Sequence, residues 1–196
     1  VGGASSRPAG TTYGKGSELV AVAEVIQRVV PVIQSIRQAH PEVFISIDTF
    51  HSSVASAAIK AGANIVNDIT ALRYSPDMIK VIRETGAAAV LMHSHGRPGS
   101  MPHELEHDDI LTEVKSEIAR AVGLAYASGV TNLCIDPGFG FGKTIAENFA
   151  LVNRISELLV FGLPVLVGIS RKAMIGSTVG SVSQPAPIER RLTGSV

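Results

Sequence analysis

Short apolar runs rich in valine and isoleucine alternate along the chain with longer stretches whose apolar residues recur every three or four positions. The runs are 43–48 (VFISID), 64–68 (NIVND), 88–93 (AAVLMH), 132–136 (NLCID) and 164–170 (PVLVGIS), and Val1-Gly2-Gly3 reads as the tail of an earlier one. Near-continuous apolar runs are expected of strands covered on both faces, as in parallel sheets. Between them, Val22, Val25, Ile26, Val29, Val30, Ile33 and Ile36 make one apolar stripe on a helix predicted over 19–38. Pro31 lacks the backbone donor and is expected to kink that helix. Ser52 stands where a cap is needed for the next helix, and Gly62 where it ends. Ser75-Pro76 opens another, with proline at the first helical position, and Gly86 ends it. The stretch 108–128 is helical and stops at Gly129, while Thr144 and Glu147 have capping-box spacing before a helix closed at Gly162. Each helix returns to a strand, which is βαβ repetition and predicts an α/β fold with a parallel sheet of six strands. Periodicity leaves open a doubly wound sheet or part of a (β/α)8 barrel. No linker or second domain interrupts residues 1–196.

Composition narrows the options. The 196 residues are 45% hydrophobic and 17% charged, enough for one sizeable core and too apolar for a disordered chain. The 17 basic and 17 acidic side chains cancel, so no general attraction to nucleic acid or an anionic membrane is expected, and anion binding has to come from a local site. Cys134 is the only cysteine; that excludes a disulfide framework and a zinc site built on several thiolates, and its mid-strand position reads as an inert core residue. No apolar run approaches the roughly 18 to 20 residues of a bilayer span. The chain opens on Val1 at what reads as a strand end, so an N-terminal segment is expected to precede it.

The polar residues at the strand ends carry the functional signal. After the first run come Gly2-Gly3-Ala4-Ser5-Ser6-Arg7-Pro8, and after the others Asp48-Thr49, Asn67-Asp68, Met92-His93, Asp136-Pro137-Gly138 and Ser170-Arg171-Lys172. Any one of these is an ordinary turn or cap. In parallel architectures the carboxyl ends of the strands meet at one rim, so together they predict a shared polar ligand site. Asp48, Asn67 and Asp136 suit the amino and ring N–H groups of a heterocycle, because a carboxylate accepts two hydrogen bonds side by side. Arg7, Lys172 and Arg171, with Ser6, suit a phosphate or diphosphate. The predicted ligand therefore has a planar hydrogen-bonding head and an anionic tail.

Two tempting motifs fail. The stretch from Asp136 to Thr144 (DPGFGFGKT) invites a phosphate-binding P-loop, but the first glycine of that motif falls on Pro137, and Gly138, Gly140 and Gly142 merely alternate. Phe139 and Phe141 fit either loop packing or contact with a ligand. His93, His95, His103 and His107 form the one histidine-dense stretch and read as a solvent-facing loop, with no residue assigned to a metal.

Taken in order, these strand ends resemble the dihydropteroate synthase family. Gly2-Gly3-Ala4-Ser5-Ser6-Arg7-Pro8 is similar to its Gly-Gly-x-Ser-Thr-Arg-Pro loop; Ile47-Asp48-Thr49, Val66-Asn67-Asp68-Ile69, Leu91-Met92-His93, DPGFGFGK at 136–143 and Ser170-Arg171-Lys172 follow. The last two are specific and the rest supporting. The resemblance implies a (β/α)8 TIM barrel, incomplete here and spanning about strands two to seven of eight, as a single pterin-binding domain over 1–196. It implies a transferase of folate biosynthesis, a sulfonamide target, that condenses 7,8-dihydropterin-6-ylmethyl diphosphate with p-aminobenzoate and releases diphosphate. By the same resemblance Asp48, Asn67 and Asp136 hold the pterin, with Met92 and Gly168 lining its pocket. Lys172 bridges to the second substrate, and Asp48, Asp136 and Lys172 are the expected catalytic set. Ser6 and Arg7 clamp diphosphate, while Pro8, Phe141 and Ser170 border p-aminobenzoate.

The resemblance also implies Mg²⁺ as cofactor, with the family's asparagine ligand and its Arg-x-His motif both outside this chain, and a cytoplasmic homodimer with no nucleic-acid or membrane partner. Ser6 departs from the family's threonine by one methyl. Two other readings stand beside it: a pterin-binding methyl-transfer module, against which Ser6-Arg7-Pro8 and Lys172 argue, and a non-catalytic paralogue, against which Asp48, Asn67, Asp136 and Lys172 argue.

Overall fold

A computed structural model describes residues 1–4, 20–96 and 107–195. The order is α1 (Val22–Ala39), β1 (Ser46–Asp48), α2 (Ser52–Ala61), β2 (Ile65–Asp68), α3 (Met78–Thr85), β3 (Ala88–Met92), α4 (Ile110–Ala127), β4 (Leu133–Asp136), α5 (Ile145–Asn153), a 3-10 helix (Ile155–Phe161) and α6 (Ala173–Val179). All strand pairings are parallel and the spatial order is β1-β2-β3-β4. A doubly wound sheet reverses its order at a switch point, whereas a barrel wall sets each strand beside the last. The sheet is therefore an arc of barrel wall, and it resolves the choice the periodicity left open. Single parallel bridges extend it on both sides, Gly2 to Asp48 and Val165 to Ile135.

The run 164–170, expected as a full strand, pairs only at its start. Ile135 N–H donates to Pro164 O at 3.0 Å and Leu166 N–H to Ile135 O at 2.8 Å, after which Leu166 and Val167 stand exposed. Two-sided cover of the strands is also not what forms. One face, with Ile47, Val66, Asp68, Ala89, Leu91, Leu133 and Ile135, is fully buried under helices that contribute Val25, Val29, Ile33, Val54, Ala58, Val114, Ile118 and Ala121. The other face carries Asp48, Asn67, Val90 and Cys134, and it is mostly half-buried. The period of two along each strand separates them. Cys134, expected in the core, lies on this second face, and burial pushes its thiol pKa up.

Helix ends follow local chemistry with some shifts. Thr144 and Glu147 form the predicted capping box, and Gly62 and Gly86 end their helices, whereas α5 stops at Asn153 and Gly162 closes the separate 3-10 helix that follows it. Asp109 caps α4 through Leu111 N–H at 3.1 Å and the Thr112 hydroxyl at 2.6 Å. Pro31 sits inside α1, which continues through it as one helix. Ser52 is the first residue of α2 and not its cap; its N–H donates to Ser75 Oγ at 3.4 Å, and the Ser75 hydroxyl donates to Ser52 Oγ at 3.0 Å. With Ser75 so engaged and its carbonyl accepting Met78 N–H at 3.0 Å, a turn precedes α3, which starts two residues beyond Pro76. No helix among the described residues is long and apolar enough to cross a membrane.

Candidate active site

Strand register decides which polar residues meet. Asp48 pairs with Asn67, Asn67 with Val90 and Val90 with Cys134; two residues on, Met92 pairs with Asp136. Positions two apart share a face, so Asp48, Asn67, Met92 and Asp136 all project from the half-buried face at the carboxyl ends of four adjacent strands. The predicted pair Asn67-Asp68 is divided. Asp68 points to the opposite, fully buried face, where its carboxylate accepts Thr70 N–H at 2.8 Å, the Thr70 hydroxyl at 2.7 Å and Leu72 N–H at 3.0 Å. It thereby holds the β2–α3 turn, in which Ala71 and Leu72 take positive φ of 47° and 64°.

The group left facing the site is Asn67. Its Oδ1 is buried and has no hydrogen-bond partner among the described residues. A buried unpaired amide oxygen costs about 1 to 3 kcal/mol, and a ligand donor would relieve that. Burial pushes Asp48 up to about 6, with the neighbouring Asp68 acting in the same direction and the N-terminal ammonium against it. Asp136 is raised as well, chiefly by burial, although Gly138 N–H donates to its Oδ1 at 2.7 Å and Lys172 and Lys143 favour its charged form.

The 136–143 loop closes over these strand ends. Gly138 and Gly142 have φ of 69° and 70°, and a Cβ at Gly138 would lie 1.7 Å from His93 O, one at Gly142 2.6 Å from His95 Cβ. The alternation thus answers backbone handedness and close approach to the β3 end, not phosphate binding. Phe139 is fully buried in the core, while Phe141 is half-buried and, like Phe50, packs against the Ile69 and Met92 cluster. Lys172 lies 4.9 Å from the Phe141 ring centroid and donates to Phe139 O. Burial lowers its pKa, and Asp136 partly restores it. Lys172, Phe141, Met92 and Asp136 are therefore one cluster. Ser170 and Arg171 are exposed, and Gly168 has open space where a side chain would stand. Ser6, Arg7 and Pro8 lie outside the described residues.

Sequence reasoning passed over the groups that shape this loop. Lys143 is buried, and its Nζ donates to His93 Nδ1 at 2.8 Å, Gly138 O at 2.9 Å and Phe141 O at 3.2 Å. Burial brings its pKa down to about 7. Asn148 is buried too: its Oδ1 accepts Gly140 N–H at 2.7 Å, and its amide donates to Lys143 O and Thr144 O. The Gly-Lys-Thr sequence was the available signal for Lys143, set aside once P-loop spacing failed. The histidines correct a second expectation. His93 and the His107 side chain are buried, at 1% and 6% exposure, and only His95, at 40%, faces solvent. Covering by α4 and α5 is the reason: Glu113 meets all three rings and Glu147 holds His107. His95, His107 and Glu113 could together hold a metal ion. His103 lies outside the described residues. Among the described residues the strand-end rim offers no comparable set of three ligating side chains.

The chain matches the family described as "Pterin binding enzyme" over residues 1–196. It is 39% identical over 198 residues to the dihydropteroate synthase of Escherichia coli (strain K12), covering all of this chain and 65% of that protein's length. Among solved structures, the Yersinia pestis dihydropteroate synthase with a sulfonamide drug superposes with a TM-score of 0.84 at 36% identity, covering 97% of this chain and 65% of that one. The Xanthomonas albilineans enzyme in complex with 7,8-dihydropteroate gives 0.80 at 37% identity, covering 92% and 64%. The chain thus spans about two thirds of the length of these relatives. A match over every residue, at this identity and on this barrel wall, places the chain in the pterin-binding enzyme family.

Proposed function

We propose that the protein is a dihydropteroate synthase, condensing 7,8-dihydropterin-6-ylmethyl diphosphate with p-aminobenzoate to give 7,8-dihydropteroate and diphosphate. The carrying observation is the convergence of Asp48, Asn67 and Asp136 on one face of adjacent strand ends, with the Asn67 Oδ1 left unpaired. Carboxylate and amide oxygens of this kind accept from the amino and ring N–H groups of a pterin. The ligands of the relatives fit the same head group: pteroic acid with the dihydropteroate synthase of Colstridium difficile, and 7,8-dihydropteroate with that of Xanthomonas albilineans.

In the reaction so proposed, the bond between the pterin methylene carbon and the diphosphate oxygen breaks as the amine nitrogen of p-aminobenzoate bonds to that carbon. The amine loses one proton and diphosphate departs with the bonding electron pair. Positive charge develops at the methylene and spreads into the pterin ring. A carboxylate at Asp136, hydrogen-bonded to the ring, stabilises that charge more in the transition state than before it. Lys172 lies beside Asp136 and over Phe141; in this reading it bridges the pterin ring and the incoming amine, where a cation also orients an anionic substrate group. Met92 and Phe141 supply an apolar floor that keeps water from competing with the amine.

The test is diphosphate release with both substrates and Mg²⁺, on a chain carrying the whole barrel, with Asp136→Asn alongside. Release that requires p-aminobenzoate, and falls by about 100-fold or more in Asp136→Asn, is expected from the loss of one electrostatic donor-acceptor contact. Pterin-diphosphate-independent turnover, or an unaffected Asp136→Asn, overturns the assignment.

A further inference from the structure

Outside the strand-end rim, the buried Nε2 of His107 stands out among the described residues because it makes no hydrogen bond. His107 immediately precedes α4, its side chain is 6% exposed, and among the described residues its Nε2 makes no hydrogen bond. Its other ring nitrogen, Nδ1, lies 2.8 Å from Glu147 Oε1, which also accepts the His107 backbone N–H at 2.8 Å. An ionised carboxylate only accepts, so Nδ1 carries a proton, and in that tautomer Nε2 presents a lone pair. That lone pair faces Glu113 Oε2 at 3.5 Å. Two acceptors turned toward each other in a buried site repel, and an electropositive centre between them removes the conflict: a second ring proton or a metal ion.

The third group distinguishes the two. His95 Nδ1 lies 3.2 Å from Glu113 Oε1, the other oxygen of the same carboxylate. Atoms of His95, His107 and Glu113 capable of binding a metal all fall within 4.8 Å of one another. A proton bridge between His107 and Glu113 needs no second imidazole, whereas a cation does. Tetrahedral zinc with bonds of about 2.0 to 2.2 Å has ligand-to-ligand edges of about 3.3 to 3.6 Å, and the two imidazole-to-carboxylate spacings are 3.2 and 3.5 Å. The surroundings match as well. Glu147 orients His107 through the nitrogen that would not bind metal, the usual support for a ligating histidine. His93 Nε2 lies 3.6 Å from Glu113 Oε1, and because its Nδ1 accepts from Lys143, the proton of that ring points toward the carboxylate.

We propose that His95, His107 and Glu113 form a binding site for a divalent transition-metal ion of the zinc class, separate from the pterin site. Two imidazoles and a carboxylate suit such ions better than magnesium or calcium, which take oxygen donors. The site ties the segment after β3 to the first turn of α4 and, through Glu147, to the first turn of α5. It holds whether or not the synthase reaction is the right one.

The experiment is titration of a chain carrying the whole barrel with Zn²⁺ by calorimetry, and with Co²⁺ followed by its visible d–d absorption. One equivalent bound, with tetrahedral-type Co²⁺ bands, is expected. His95→Ala alters a half-exposed side chain and leaves the packing in place; it is expected to weaken Zn²⁺ binding at least about 100-fold. Glu147→Gln preserves the helix cap yet removes the charge behind His107, and weakens binding about 10- to 100-fold. His40→Ala, on an exposed residue remote from the cluster, leaves binding unchanged. His107→Ala and Glu113→Gln abolish it; if either fails to fold, His95→Ala and Glu147→Gln carry the test. No saturable uptake, uptake indifferent to His95→Ala, or a His107 ring that carries protons on both nitrogens in ¹⁵N NMR at mildly alkaline pH would overturn the proposal.

Discussion

Lys143 offers the sharpest test of how the 136–143 loop is built. Its ammonium sits in a buried position with three acceptors, Nδ1 of His93 and the carbonyls of Gly138 and Phe141, and burial brings its pKa from 10.5 to about 7. Between those values the unfolded chain binds more protons than the folded one, so stability rises with pH across that window. Below pH 7 both states are charged and the full burial penalty applies; above 10.5 both are neutral and it is gone. At about 1.36 kcal/mol per tenfold change in proton affinity, the whole window is worth at most about 5 kcal/mol, and pH 7 to 9.5 about 3 kcal/mol. Urea denaturation followed by circular dichroism at both pH values gives the wild-type gain. Lys143→Met removes the titrating group, and its gain is expected to be smaller by about 3 kcal/mol; other groups titrate in both proteins and cancel in the difference. Should Lys143→Met not fold, a ¹³Cε NMR titration reads the Lys143 midpoint directly. Parallel pH profiles for the two proteins, or a Lys143 midpoint near 10, would refute the account of a buried, desolvated amine.

Other residues give simpler readouts. Asp48→Asn removes a carboxyl whose folded pKa is raised to about 6, so the wild type is expected to lose more stability than the variant as pH rises from 4 to 6, by denaturant midpoints. Asp136→Asn is expected to weaken binding of a pterin ligand by about 2 to 5 kcal/mol in calorimetry, because one partner of a buried charged hydrogen bond is lost. Lys172→Ala is expected to lower kcat/KM while leaving the melting temperature within a few degrees, since its Nζ reaches out to the loop carbonyl of Phe139 and lies over the Phe141 ring. Thr144→Ala, which breaks the capping box of α5, is expected to lower stability by about 1 kcal/mol in the same denaturation assay.

The elements and the rim were legible because their signals are local. Apolar runs, glycine stops and the Thr144–Glu147 spacing each act within a few residues, and the strand ends fall where those runs stop. What escaped depends on contacts across long separations. Nothing near Asp68 in the sequence says that it turns away from Asn67; only the pleat, with one face under the helices, sends one side chain to the buried turn and its neighbour to the site. Ser52 looked like a cap, and its partner is Ser75, 23 residues away. The outermost runs looked like strands, yet a strand forms only where a neighbour pairs with it, so Val1-Gly2-Gly3 and 164–170 are held by single bridges.

The histidines show the same limit with a consequence for function. A stretch holding His93, His95 and His107 among glycine, serine and acidic residues has no apolar periodicity, and polarity alone points to solvent. Burial came instead from Glu113 and Glu147, which lie on two later helices, Glu113 18 residues from His95 and Glu147 40 residues from His107. A helix that brings a carboxylate to a buried imidazole also fixes which nitrogen holds the proton, because a carboxylate accepts and does not donate. Glu147, the N3 member of the α5 capping box, is thereby the group that sets the tautomer of His107. A single glutamate serves a local purpose readable in the sequence and a distant one that is not. That coupling is why Glu147→Gln, with the cap retained, separates the two: helix stability should hold while the properties of His107 Nε2 change.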